Sequence, residues 1–221
     1  MQNPLDHWDH LHQNPRFRPA YPSDHVVRFM MASRPPSERR GYARFLDVGV
    51  GAGRHAKLAA DLAFVPFGID ISLVGLQHAH ERFQQAGVKS HLAKASMLSL
   101  PFTDNSFEVV LSYGVFYYGT ASEMKQAIRE THRVLTSGGR AFVVLRTIHD
   151  CRFAKGAEIE HNTFRLTITE TNEAGTVQHF LMADDIPSYF SKFSKVSFEK
   201  SETTFANRAL LNSDWLITAE K

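Results

Sequence analysis

Apolar and polar positions along this chain fall into blocks whose period changes from one to the next. Phe45-Leu46-Asp47-Val48 is a short apolar run interrupted by one acid and followed by glycines. That length and that punctuation predict a buried strand over 44–49. Helical spacing follows over 53–63, and Val65 to Asp70 is apolar up to its last residue. Ser72 opens a helix to about Ala86 that stops at Gly87, and a third strand is expected over about 88–93. Phe107 to Tyr113 is a continuous apolar run, as in a strand buried on both faces. A helix over 121–135 is stopped by Gly138-Gly139, and Arg140 to Arg146 makes a fifth strand.

The flanks read differently. Residues 4–12 form a short helix with Leu5, Trp8 and Leu11 or His12 on one face. Pro15, Pro19 and Pro22 make the next stretch an extended connector. Ser23 then caps a helix to about Ser33, with Val26, Val27, Phe29 and Met30 inward, and 34–41 is a polar loop. Beyond the fifth strand, Phe164, Leu166 and Ile168 alternate with Arg165, Thr167 and Thr169. Gly175 turns the chain and Thr176 to Leu181 returns, which predicts a hairpin. A helix over 183–192 and strands over 195–201 and 213–219 complete the chain. The order predicts an α/β fold with a Rossmann-like, doubly wound sheet, mostly parallel with an antiparallel last strand. One domain over 1–221 is expected: a helical arm or lid (1–43), a ligand-binding core (44–146), a substrate-side insertion with the hairpin (147–193) and closing strands (194–221).

Composition narrows the class. At 221 residues, 43% hydrophobic and 22% charged, the chain has the balance of a soluble globular domain. No apolar run reaches the roughly 18–20 residues of a membrane span. Residues 1–7 lack the basic and apolar regions of a signal peptide. A single cysteine, Cys151, excludes an internal disulfide and fits a reducing interior, so a cytoplasmic location is expected. A net charge of +2 without a dense basic run gives no reason to expect nucleic acid or a membrane as partner. His7, His10 and His12 crowd the N-terminus beside flexible prolines, and no metal triad is assigned to them.

The chemistry gathers at the strand ends. Gly49, Gly51 and Gly53 let the backbone turn sharply and approach a ligand without a Cβ in the way, and the helix that follows offers unpaired N–H groups. A dinucleotide turn needs a third glycine where this chain has Arg54, which speaks against an NAD-type oxidoreductase. Asp70, 21 residues after Gly49, ends the second strand where an acid faces a ribose. Its alternative role is a helix N-terminal acid before Ser72.

The acid Asp47 followed by Gly49, Gly51 and Gly53 resembles the first motif of the class I S-adenosylmethionine (SAM) methyltransferases. Ala95 to Phe102 with Ser106-Phe107 resembles the acid-small-x-x-Leu-Pro-Phe and Ser-Phe-Asp segments of the type 11 methyltransferase family. The match holds at Leu100, Pro101, Phe102, Ser106 and Phe107, and departs at Ser96, where the family has an aspartate. Arg133-Val134-Leu135 with Gly138-Gly139 is similar to the helix end before the family's fifth strand. The resemblance spans roughly 44–146. It implies SAM as cofactor and S-adenosylhomocysteine as product, with Asp47, the three glycines, Arg54 and Ser112 near the methionine end. Asp70 would serve the ribose, Ser96 and Met97 the adenine, and Ile71 joins them as a cofactor-binding residue. Arg16 to Pro22 is similar to an arm that covers the cofactor in small-molecule methyltransferases, which brings Tyr21 to the methionine carboxylate and Trp8 over the top. The same two residues also serve to pin the arm to the core.

Ser112 to Tyr118 replaces the Asn/Asp-Pro-Pro-Tyr segment of enzymes that methylate nucleic acids or proteins. A small-molecule acceptor is therefore expected, with Tyr113, Tyr117, Tyr118, Arg146 and Trp8 around it. The tail 207–215 is similar to relatives from saccharide and specialised-metabolite pathways, which adds a sugar or such a metabolite as the acceptor. An oxygen nucleophile needs a base: His149, after the fifth strand, is the first candidate, and His7, His10 and His12 of the arm are the others. A SAM-binding chain without catalysis is the alternative that Ser96 keeps open.

Overall fold

The structure, a computed structural model, describes residues 4–89 and 91–221. Strands β1 (Arg44–Val48), β2 (Val65–Asp70), β3 (His91–Lys94), β4 (Phe107–Tyr113) and β5 (Leu135–Arg146) lie parallel. Two long strands, β9 (Lys195–Phe205) and β10 (Leu210–Glu220), extend them to a seven-stranded sheet in the order β3-β2-β1-β4-β5-β10-β9. β10 runs antiparallel to both β5 and β9. This is the doubly wound, mostly parallel sheet that the strand–helix alternation predicts. Order reverses between β1 and β4, and a doubly wound sheet opens its ligand crevice at the carboxyl ends of the strands there.

Helices α2 (Asp24–Ala32), α3 (Arg54–Asp61) and α4 (Leu73–Gln85) cover one face, and α5 (Ala121–Val134) the other. Phe45, Leu46, Val110 and Leu111 are wholly buried between these layers. Each such side chain contributes about 1.5–3 kcal/mol by leaving water. That makes β1 and β4 a rigid base for the loops at their ends. α1 (Pro4–Gln13) packs against α4 over the crevice, and the connector behind it holds one tight turn, Pro15–Phe17, capped by the Asn14 side chain. Trp8 and His12 of the predicted apolar face point inward, and the Leu5 side chain lies outside the described side chains.

Several expectations need correction. Gly138-Gly139 does not end α5, because the chain leaves the helix at Leu135 straight into extended backbone. The two glycines fall inside β5, where the pairing with β4 slips, and Gly138 takes the left-handed φ of 72° that such an irregularity needs. Ser23 occupies the cap position of α2, yet its side chain makes no capping bond. The helix expected over 183–192 is a short 3-10 turn followed by the single turn α6 (Ile186–Tyr189). The expected hairpin is present as β7 (Thr163–Leu166) with β8 (Val177–His179), and β6 (Gly156–Glu160) adds a third strand to this separate small sheet. β6 is mostly exposed, so no buried alternation marks it in the sequence. β3 is shorter than expected, and residue 90 within the predicted span lies outside the described residues. No helix among the described residues is long and apolar enough to cross a membrane.

Candidate cofactor and acceptor site

The glycine turn joins β1 to α3 with three left-handed residues: Gly49 (φ 79°), Gly51 (φ 49°) and Gly53 (φ 80°). A Cβ on Gly49 would lie 2.2 Å from Val115 Cγ2, so the turn fits against the loop after β4 only because that carbon is bare. Gly49 and Val50 donate their N–H groups to Ile69 O at 2.8 and 2.9 Å, which locks the turn to the end of β2. Gly51 N–H donates to Asp70 Oδ2 at 2.8 Å, and Ser72 N–H donates to Asp70 Oδ1 at 2.8 Å. Both oxygens are thus anchored with lone pairs left over. Burial raises the Asp70 pKa, and the two backbone donors oppose it.

Asp47 is more deeply enclosed, at 2% exposure. Burial pushes its pKa well up, and the nearby Arg54 only partly offsets this. Its Oδ2 accepts no hydrogen bond among the described residues. Arg54 lies over the Tyr113 ring at 5.4 Å and donates to Tyr21 O at 3.2 Å. Ser23 N–H donates to His55 Nε2 at 3.3 Å, and burial lowers the His55 pKa to about 3. The imidazole therefore stays neutral and ties the arm to α3. A cavity of about 140 Å³ runs along the glycine turn under Phe17 and Pro19, with Arg54, His55 and Tyr113 on its far wall.

The arm also packs against the Asp70 end of the crevice. Asp9 Oδ1 accepts from Ser72 Oγ at 2.6 Å and from Val74 N–H at 3.2 Å, which caps the start of α4. His12 Nδ1 lies 2.9 Å from the same Ser72 Oγ.

Toward β5 the site turns aromatic, then ionic. Tyr117 and Tyr118 pack at 4.6 Å between ring centroids, and Trp8 meets Tyr118 edge-on at 4.7 Å. Tyr118 Oη donates to Glu173 Oε1 at 2.8 Å, and Arg146 reaches Glu173 at 2.9 Å and Tyr117 Oη at 3.2 Å. Asp150 pairs with both Arg146 and Arg152, each at 2.9 Å, and Arg152 also pairs with Glu173. Burial alone would raise the Glu173 pKa, but Arg146 and Arg152 bring it down to about 2.

Residues 45–139 match the methyltransferase-domain family. The match begins on β1 and takes in the glycine turn, Asp70 and β4. Over residues 45–139 the chain matches a methyltransferase domain, and its sheet shares the fold of SAM-dependent methyltransferases. Among its relatives is the uncharacterized methyltransferase YcgJ of Bacillus subtilis, 33% identical over 115 residues, which are 49% of this chain and 42% of that protein. The chain spans about two fifths of the length of the first curated relatives it matches. A SAM-dependent methyltransferase from Methanosarcina mazei superposes with a TM-score of 0.70 at 19% identity, covering 86% of this chain and 96% of that one. The Burkholderia thailandensis 1,6-didemethyltoxoflavin-N1-methyltransferase, solved with its substrate and S-adenosylhomocysteine, superposes at 0.63 with 12% identity, over 89% of this chain and 76% of that one.

SAM is the cofactor of the methyltransferase domain, and the residues present suit it. Asp70 is an anchored carboxylate with acceptor capacity left over. The Asp47 Oδ2 and Ser112 Oγ atoms, both buried and unbonded among the described residues, are polar groups at the ends of β1 and β4. Other expected site residues stand apart from this set. Tyr21 is 83% exposed, and only its carbonyl reaches Arg54. Ser96 spends its Oγ on Leu98 N–H at 3.2 Å, and Met97 packs on the core beside α5. Ile71 follows Asp70, half-buried. Tyr113 lies with Arg54 and His55 at the glycine turn, whereas Tyr117, Tyr118, Arg146 and Trp8 come together in the aromatic cluster. His149 donates its backbone N–H to Thr147 Oγ1 at 2.9 Å, and its charged neighbour is Glu202 of β9, toward the outer edge of the sheet. Sequence reasoning misses Asp9, Asp150 and Glu173 as site residues. Glu173 sits in a polar loop that has no motif to mark it, and its partners come from β5 and two other loops.

Proposed function

We propose that this protein transfers the methyl group of SAM to an oxygen or nitrogen of a small-molecule acceptor, with a sugar or specialised metabolite as the class to screen first. The observation that carries the reading is Asp70, fixed by Gly51 and Ser72 beside the glycine turn within the family match. The Trp8, Tyr117 and Tyr118 rings favour a small, ring-bearing or apolar acceptor over a polymer. The Burkholderia thailandensis neighbour, whose substrate is 1,6-didemethyltoxoflavin, is a precedent on this fold.

When bound, SAM supplies a methyl group on a positively charged sulfur, so the leaving group is already activated. The protein's work is to align the acceptor and exclude water. On this reading Asp47, Arg54 and Ser112 hold the methionine end, Asp70 holds the ribose, and the aromatic cluster orients the acceptor. Two histidines compete to take the acceptor's proton. His149 is exposed after β5. His7 stands edge-on to Trp8 at 5.4 Å between ring centroids, and its Nε2 is buried and unbonded among the described residues. Burial lowers the His7 pKa and Glu173 opposes that, so the ring is neutral and able to accept a proton near pH 7. We therefore rank His7 ahead of His149.

Calorimetric titration with S-adenosylhomocysteine, using NADH as control, tests the cofactor, and a SAM-fed acceptor screen tests the transfer. Binding of the first ligand alone and turnover of one acceptor class are expected. His7→Ala is expected to cut turnover with little change in cofactor binding, and His149→Ala to leave both nearly intact. Because Ser96 is committed to a local turn, a SAM-binding chain without catalysis is the second reading. It predicts binding and no turnover throughout the screen.

A further inference from the structure

We propose that His12 of the arm is a cofactor-binding residue, whose Nε2 receives a ribose hydroxyl beside Asp70. The inference rests on the SAM reading of the site and adds to it an acceptor from outside the matched segment, residues 45–139.

The proton count fixes the ring. Ser72 has one hydroxyl proton and gives it to Asp9 Oδ1 at 2.6 Å. Its oxygen already accepts Gly75 N–H at 3.0 Å. At 2.9 Å from that oxygen, His12 Nδ1 must be the donor. In the neutral imidazole the proton is then on Nδ1, and Nε2 carries a lone pair. Burial lowers the His12 pKa, with Arg18 and His78 acting the same way and Asp70 and Asp9 opposing, so the neutral ring is the resting form at pH 7.

Two bare glycine carbons place that lone pair. A Cβ on Gly75 would lie 2.8 Å from Nδ1, and a Cβ on Gly51 would lie 3.4 Å from Nε2. The ring edge therefore stands between the start of α4 and the glycine turn, on the side of Gly51 whose N–H holds Asp70. Nε2 makes no hydrogen bond among the described residues, although Ser72 and the Gly51 N–H that holds Asp70 lie close by. A ribose presents two hydroxyls, and a carboxylate and an imidazole lone pair side by side give each its own acceptor. Asp9 and Ser72 hold the imidazole in that tautomer from behind.

The test is calorimetry of the whole chain with S-adenosylhomocysteine and with its 2′-deoxy and 3′-deoxy analogues. His12→Ala is expected to weaken binding of the parent ligand about three- to tenfold, the worth of one neutral hydrogen bond. For one of the two deoxy analogues, wild type and His12→Ala are expected to bind equally, because the hydroxyl that His12 would receive is gone. His12→Gln, which can place an amide oxygen near the Nε2 position, is expected to recover most of the loss. Equal binding of the parent ligand by wild type and His12→Ala would overturn the assignment. So would tighter binding by His12→Ala, which would make the ring an obstruction in the ribose position. A loss of the same size for the parent and both analogues would also overturn it, as the mark of a purely structural role. Failure of the wild type to bind S-adenosylhomocysteine would overturn the cofactor reading itself, and this inference with it.

Discussion

At the scale of single residues, what decides function here is where each charge finds its partner. Asp70 is held by two backbone N–H groups and keeps lone pairs for a ligand. Asp70→Ala is expected to cost about 1.5–3 kcal/mol of S-adenosylhomocysteine affinity, or roughly ten- to a hundredfold, in calorimetry on a folded variant. Glu173 has its charge fully used by Arg146, Arg152 and Tyr118. Glu173→Gln leaves two buried guanidinium groups under-compensated, and a destabilisation of about 3–5 kcal/mol is expected in chemical denaturation. An unchanged midpoint would remove the ion-pair network from the account. The sequence announces the first residue and hides the second. Asp70 sits at a strand end at a fixed distance from a glycine turn, and both signals are local. Glu173 acquires its meaning from Arg146, 27 residues before it, and from Tyr118, 55 before it.

At the scale of elements, the glycine turn and the arm behave differently. The turn is clamped to β2 and to the loop after β4. Gly49→Ala combines a left-handed φ with a Cβ placed on Val115, and a loss of about 1–3 kcal/mol in unfolding free energy is expected. Full stability of that variant would mean that the loop yields easily. The arm is held mainly by side chains reaching across to it: Arg54 and Arg82 onto its carbonyls, His55 onto Ser23 N–H, and Asp9 and His12 onto Ser72. Such a strap opens at lower cost than a core helix. The 140 Å³ left beneath it is smaller than the roughly 300 Å³ at which ligand pockets begin, and the strap is expected to yield when the cofactor enters. Limited trypsin digestion at Arg16 and Arg18 is expected to slow when S-adenosylhomocysteine is added. Equal rates with and without ligand would separate the arm from the site.

At the scale of the whole molecule, buried histidines set the response to acid. Burial lowers the His55 pKa from 6.5 to about 3 and the His179 pKa from 6.5 to about 4. The unfolded chain takes up these protons below pH 6.5 and the folded chain does not. Stability is therefore complete above that pH and falls as the medium is acidified toward 4 and then 3. Glu173, lowered from 4.5 to about 2, adds a further loss below pH 4.5. Thermal melts are expected to show a level midpoint from pH 7.5 to about 6.5 and a steady decline from there to pH 5. A flat profile would mean that these imidazoles are hydrated.

The sequence by itself determined the order of strands and helices, the turn at 49–53 and the acid at the end of β2. Each depends on residues adjacent in the chain: apolar period, glycine at left-handed positions, a cap before a helix. Only the tertiary structure decided that Gly138-Gly139 lies inside a strand, that β6 joins the small sheet, and that Tyr113 parts from Tyr117 and Tyr118. It also decided that His12 and Asp70 meet at Ser72. These depend on which distant groups satisfy a buried donor, acceptor or charge, and no local pattern encodes that pairing.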